Sequence, residues 1–250
     1  MSMTSRVAVV TGGGSGVGQA IAAHLAQDGR RVAVLDCNGE AADKVVGQLR
    51  VDGRDALGVQ VDVSDPDAVA RAFKVVRDTL GPTEILVTSA AIASFTPFHR
   101  ITLEEWNRYL AVNLTGTFLC LQAALPDMTS AKWGRIVTIS SAAGQKGAVG
   151  QGHYSASKGG VIALTKAVAQ EYASRGITIN TIPPFVIDSP MLREQQSAKK
   201  LPSAEVLAKA IPAGRIGTGE DVAALCAFLC SESSGYVTGQ VIGVNGGAVL

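Results

Sequence analysis

The chain has 250 residues, 47% of them apolar and 17% charged, with a net charge of +1. That composition supports a large core, and its scattered basic residues argue against a nucleic-acid or anionic membrane surface. No unbroken apolar run approaches the ~20 residues of a membrane span, and Met1 to Arg6 shows no signal-peptide pattern, so a cytoplasmic chain is expected.

Arg6-Val-Ala-Val-Val10 is a short β-branched run closed by glycines, which reads as a buried parallel strand. Thr11-Gly-Gly-Gly-Ser-Gly-Val-Gly18 follows, and then a helical pattern from Ile21 to Gln27. Strand, glycine loop and helix in that order are the context of a dinucleotide site. Backbone at Gly12, Ser15, Gly16, Val17 and Gly18 can approach a pyrophosphate, and the helix start offers it free N–H groups.

Arg31-Val-Ala-Val-Leu-Asp36 is the second strand. Asp36 stands ~20 residues past the glycines, where a carboxylate accepts from the adenosine ribose hydroxyls. The same charge repels a 2′-phosphate. Ser15 and Cys37 are neutral, and Arg30 and Arg31 stand at the strand's far end, so the expected cofactor is NAD rather than NADP.

Glu40 to Arg50 reads as a helix, and Ala56 to Val61 as the third strand, ending in Asp62 and Val63. A helix spans Asp65 to Leu80, with Ser64 or Asp65 as N-cap and Pro66 in its first turn. Glu84 to Thr88 is the fourth strand. This alternation predicts an α/β fold, a Rossmann-type doubly wound parallel sheet of about seven strands with helices on both faces. Ligands then bind at the carboxyl ends of the strands. With no repeat, charge block or linker, residues 1–250 read as one domain.

Thr102 to Leu121 holds one long helix or two joined near Asn113, which by itself reads as a solvent-facing asparagine. Gly134 to Ser141 is the fifth strand, with Ser140 and Ser141 at its carboxyl end. Tyr154 and Lys158 follow, four positions apart and so on one helix face. Free tyrosine titrates near ~10, and acting as a base near neutrality needs a drop of ~3 units, or ~4 kcal/mol. One cation ~4 Å away at an effective dielectric of ~20 supplies that, and an oxidised nicotinamide adds to it. The pair reads as a general acid/base, with small residues around it leaving room for a ligand.

That helix runs to about Arg175, and Ile177 to Ile182 is the sixth strand. Pro183 to Lys200 has no strong period, and with the short helix at Pro202 to Ala210 it suggests a lid over residues 185–212. A helix from Glu220 to Cys230, capped by Thr218, buries Cys226 and Cys230 on one face. Val241 to Asn245 is the last strand. The four cysteines form no C-x-x-C pair and His24, His99 and His153 do not cluster with them, so no metal site is expected.

With these residues in view, the whole chain resembles the short-chain dehydrogenase/reductase family. Thr-Gly-x-x-x-Gly-x-Gly falls on Thr11, Gly12, Gly16 and Gly18; the Tyr-x-x-x-Lys pair on Tyr154 and Lys158; the serine thirteen residues before the tyrosine on Ser141; and Asn-x-x-Gly on Asn113 and Gly116. The resemblance implies that Tyr154 is the acid/base, that Lys158 lowers its pKa and holds the nicotinamide ribose, and that Ser141 hydrogen-bonds the substrate oxygen. It makes Asn113 the holder of a water linking Lys158 to solvent. Asp62 and Val63 match its adenine contacts, and Ile187 and Ser189 its carboxamide contacts. Hydride passes directly between substrate and cofactor, without a metal. A homotetramer is also implied.

Two places depart from the family pattern. Thr88-Ser-Ala-Ala91 replaces Asn-Asn-Ala-Gly, leaving Ser89 and Ala90 as backbone contacts to the cofactor. Pro184-Phe185 replaces Pro-Gly, so Pro184 keeps its place and Phe185 reshapes the substrate pocket. The expected activity is NAD-dependent interconversion of a secondary alcohol and a ketone. A 3-oxoacyl thioester reductase is the alternative, since the family is rich in them; those commonly use NADP, which Asp36 opposes. A non-catalytic NAD-binding protein is the rival class that the two departures motivate. Phe95, Phe98, Val149, Phe185, Met191 and Leu192 suggest a largely apolar small-molecule substrate.

Overall fold

A computed structural model describes residues 5–249; residues 1–4, part of the stretch read above for a leader, lie outside the described residues. The chain alternates strand and helix: β1 (Val7–Thr11), α1 (Gly16–Gln27), β2 (Arg31–Asp36), α2 (Gly39–Val51), β3 (Ala56–Gln60), α3 (Pro66–Thr79) and β4 (Thr83–Thr88). It continues through α4 (Leu103–Tyr109), α5 (Gly116–Ala131), β5 (Gly134–Ile139), α6 (Ala142–Lys146), α7 (Gly152–Tyr172), β6 (Ile177–Ile182), α8 (Pro190–Ser197), α9 (Ala204–Lys209) and α10 (Gly219–Leu229). All six strands pair in parallel, in the order β3-β2-β1-β4-β5-β6.

Side chains alternate across the sheet, so neighbouring strand residues feed two cores. Ala8, Val10, Val32 and Val34 pack with Ile21 and Leu25 of α1, Val45 of α2 and Val222 and Cys226 of α10. Val7, Val9, Ala33 and Leu35 pack on the opposite face with Phe73 of α3, Leu121 of α5 and Ala169 of α7. The caps follow their side chains. Asp65 accepts from the Asp67 and Ala68 amides at the start of α3, and Thr218 and Asp221 form a reciprocal capping box on α10.

Two expectations need correcting, and a third point needs stating. The seventh strand is reduced to isolated bridges, Thr181 with Val241 and Pro184 with Val244. Hydrogen bonds to β6 continue, as in Ile242 N–H to Thr181 O at 3.0 Å. Just before this segment, the Asn180 side chain accepts from the Gln240 amide and donates to the Val237 carbonyl. Second, Pro183 to Lys200, read for its lack of a strong period without an element of its own, contains α8, with Pro190 at its start and Ser189 accepting from Leu192 N–H at 3.2 Å. Third, among the described residues one helical run, Leu103–Ala131, is long and apolar enough by length and composition to cross a membrane. Glu104, Glu105, Arg108 and Asp127 interrupt it, so it holds no unbroken apolar run of that length. Core packing of Cys120, Leu121, Ala124 and Met128 accounts for much of its apolar character.

Candidate active site

The carboxyl ends of the strands open onto one cavity of about 860 Å³. The glycine loop closes one side. A Cβ added to Gly18 would sit 2.1 Å from the Gly12 carbonyl oxygen, so only glycine lets α1 start this close to the strand end. Ser15 stands at the N-cap of α1, but its side chain caps nothing. The first-turn N–H groups therefore lack a side-chain partner where Ser15, Gly16, Val17 and Gly18 line the cavity. This cradle fits a cofactor pyrophosphate.

Asp36 ends β2 on the cavity wall. One carboxylate oxygen accepts from Gly14 N–H at 2.9 Å and the other from Asn38 N–H at 2.9 Å. Both oxygens keep lone pairs for hydroxyl donors. Asp62 and Val63 line the same region, and Asp62 holds the Ser64 amide and hydroxyl on one oxygen. The Cys37 thiol beside them is pushed up, by burial and then by the Asp36 charge. The ionisable groups beside Asp36 on this wall are another carboxylate, Asp62, and the Cys37 thiol.

The exit of β4 is held from two sides. Ser89 and Ala90 donate their amides to the Thr11 hydroxyl at 3.2 and 3.3 Å. Asn113 grips the next turn, accepting from Ile92 N–H at 2.9 Å and donating to Ile92 O at 3.1 Å. Its amide also donates to the Ser157 hydroxyl at 3.0 Å. Asn113 is fully buried, so the solvent-facing reading of the isolated residue is corrected. The helix there widens to a π-helical turn over Leu110–Thr115, and the Asn113 carbonyl accepts from the Thr117 hydroxyl at 2.9 Å.

Ser141 leaves β5 and accepts from Ala143 N–H at 3.1 Å as the cap of α6. That turn lies directly on α7. A Cβ on Gly144 would come 2.7 Å from the Lys158 backbone, which explains the small residues around the Tyr154 helix. Tyr154, Lys158 and Ser141 all line the cavity. Lys158 Nζ donates to the Ile139 carbonyl at 2.7 Å, and burial pushes its ammonium down to about 8. Burial pushes the Tyr154 phenol up, the Ser141 hydroxyl pulls it down, and the Tyr109 phenol adds to the rise. The expected lowering of Tyr154 by Lys158 is thus reversed in the protein alone. Burial dominates, and the Lys158 ammonium is directed at a carbonyl instead of the phenol.

Pro184, Ile187 and Ser189 line the cavity on the lid side. Phe185 has no positive φ and so carries no backbone strain in place of glycine. Its ring lies 4.8 Å from the Lys146 ammonium at the cavity wall. Sequence reasoning missed a polar cluster behind Tyr154. The His153 ring stacks on Tyr109 at 3.8 Å, and its Nε2 lies 3.2 Å from Glu105 Oε1, which also accepts from the Thr96 hydroxyl at 2.8 Å. The adjacency of His153 to Tyr154 was the available signal; its partners Tyr109 and Glu105 are 44 and 48 positions away.

Comparison with known proteins agrees over nearly the full length. A family model described as enoyl-(acyl carrier protein) reductase matches residues 12–249. The 3-oxoacyl-[acyl-carrier-protein] reductase of Synechocystis is 39% identical over 251 residues, covering 100% of this chain and 99% of that one. The 3-oxoacyl-[acyl-carrier-protein] reductase FabG of Pseudomonas aeruginosa is 37% identical, with 100% of both chains covered. The acetoacetyl-CoA reductase of Cupriavidus necator is 38% identical over 98% of each chain.

Proposed function

The chain belongs to the short-chain dehydrogenase/reductase family and is an oxidoreductase, and from that premise we propose that it uses NAD(H) to interconvert a ketone and a secondary alcohol, with Tyr154 as acid/base. The nicotinamide, when bound, supplies or accepts the hydride. The chain's own residues manage the proton. A phenol pushed up by burial holds its proton at neutral pH, which suits donation to a ketone oxygen. Ser141, at the same end of the cavity, orients that oxygen by hydrogen bonding. Lys158 is cationic below about 8 and stabilises the phenolate left behind. Asn113 positions this set by clamping Ile92 and Ser157.

NAD rather than NADP rests on Asp36, whose carboxylate is tied to the glycine loop through Gly14. A 2′-phosphate there would meet two carboxylates, Asp36 and Asp62, in one wall. For the ketone, the relatives' names favour a 3-oxoacyl thioester, the alternative reading of the sequence. The apolar wall at Phe95, Val149 and Leu192 accepts an acyl chain. A homotetramer in the cytoplasm completes the reading, and exposed Phe118 on α5 is consistent with a subunit contact.

The test is reduction of an acetoacetyl thioester with NADH, against a panel of simple ketones. Turnover of the thioester supports the proposal. Turnover of simple ketones alone withdraws the thioester and keeps the reaction. Tight cofactor binding with no turnover of any substrate supports the non-catalytic rival.

A further inference from the structure

Tyr154 stands in the first turn of α7, and Gln151 at the N-cap of that helix gives it no side-chain cap. Helix ends without such a partner fray. His153, one residue before Tyr154, is fully buried and holds the turn from the side. Its Nε2 lies 3.2 Å from Glu105 Oε1 on α4, and its ring stacks on Tyr109 of the same helix at 3.8 Å. An ionised carboxylate only accepts, so Nε2 carries the proton. Nδ1 is buried with no partner among the described residues, which leaves Nε2 as the polar tether of the ring.

Glu105 gathers more than the imidazole. The same oxygen accepts from the Thr96 hydroxyl at 2.8 Å and from the Ser94 hydroxyl at 3.4 Å. The Thr96 hydroxyl first, and then His153, hold the carboxyl below its usual range, against the opposing pull of burial. Thr96 N–H also donates to Gly150 O at 2.8 Å, just ahead of α7. Phe95, between the two hydroxyls, lines the cavity, whereas Glu105 and His153 do not. One carboxylate behind the cavity wall thus joins α4, the loop after β4 and the start of α7.

We propose that His153 and Glu105 are positioning residues that act through Tyr154: their link fixes the first turn of α7, and with it the phenol, where proton transfer to the ketone oxygen requires it. The inference rests on the reading of Tyr154 as acid/base and adds what holds that group in place. A helix start free to shift by about 1 Å would cost as much as ~10²-fold in rate. The cofactor cradle at the start of α1 lies elsewhere in the cavity and is untouched by such a shift.

The test follows reduction by NADH of the N-acetylcysteamine thioester of acetoacetate, or of the simple ketone that the wild type turns over, in full-chain variants. His153→Phe keeps a ring on Tyr109 and removes the donor, whereas His153→Gln keeps a donor near Nε2. His153→Phe should lose about tenfold or more in kcat, with KM within about twofold and an unchanged thermal upshift on NADH binding. His153→Gln should return kcat to within about threefold of the wild type. Glu105→Met should lower kcat to the same degree and also raise KM, because it frees Ser94 and Thr96 beside Phe95. Combined with His153→Phe, it should lower kcat no further. Wild-type kcat in His153→Phe overturns the inference, as does a Gln variant no better than Phe, or losses that multiply in the double variant. So does a loss of kcat together with the NADH upshift, which would be a general loss of packing. If His153→Phe does not fold, Glu105→Met decides: wild-type kcat overturns the inference and a lowered kcat supports it. Tyr154→Phe separates the failure of the reading beneath. If that variant keeps its activity, or the wild type reduces none of these substrates, the reading falls and the inference with it. If Tyr154→Phe is inactive and His153→Phe is unimpaired, the inference alone falls.

Discussion

Lys158 is buried with its ammonium on a backbone carbonyl, and burial takes it from 10.5 to about 8. Between those values the unfolded chain still holds the proton and the folded chain has lost it. The unfolding free energy therefore rises with pH across about 8 to 10.5, by about 3 kcal/mol from this residue. Denaturant unfolding near the two ends of that window should show the rise in the wild type and not in Lys158→Met. Equal slopes for the two proteins would contradict it. Tyr154→Phe should keep NADH affinity within a few-fold and lose roughly 10²–10⁴-fold in kcat. Undiminished kcat would remove the phenol from the reaction. Both residues were legible because a four-residue spacing on a helix is local. The sign of the tyrosine shift was not legible, because it depends on walls brought from α4, α6 and the ends of β4 and β5. The burial of Asn113 was hidden for the same reason. Its partners, Ile92 and Ser157, lie 21 and 44 positions away.

At the scale of elements, the π-helical turn over Leu110–Thr115 carries the Asn113 side chain to the exit of β4. Asn113→Ala removes three hydrogen bonds and strands the half-buried Ile92 groups. It should cost about 2–4 kcal/mol and speed hydrogen exchange at the Ile92 amide. Unchanged exchange there would mean that Thr11 alone holds the loop. Gly18→Ala puts a methyl 2.1 Å from Gly12 O and should weaken NADH binding by at least about tenfold. Unaltered affinity would show that the loop can relax without losing its cradle. Six strands and the core helices were legible from period and punctuation, because β-branched runs and glycine turns mark buried parallel strands. Val241 to Asn245 was over-read because its apolar residues say nothing of how its pairing with β6 breaks into the isolated bridges at Val241 and Val244. Helix α8 was under-read because its signals, Ser189 and Pro190, are caps rather than a period.

For the molecule as a whole, a parallel sheet brings the loops after all six strands to one edge, and every candidate catalytic and cofactor-binding residue except buried Asn113 lies in the wall of the cavity there, while exposed Phe98 of the expected apolar set lies outside it. One end offers free helix N–H groups and two carboxylates. The other offers a phenol, a buried lysine and an apolar wall. The account's central claim is that this cavity holds NAD(H) through Asp36 and leaves the far end for a ketone. Titrating NADH and NADPH into the wild type, followed by intrinsic fluorescence and binding heat, tests that claim most directly. The account predicts NADH tighter than NADPH by about tenfold or more, from the like-charge cost at Asp36. Tighter binding of NADPH would overturn the reading of Asp36, and binding of neither would overturn the assignment of the cavity to a nicotinamide cofactor.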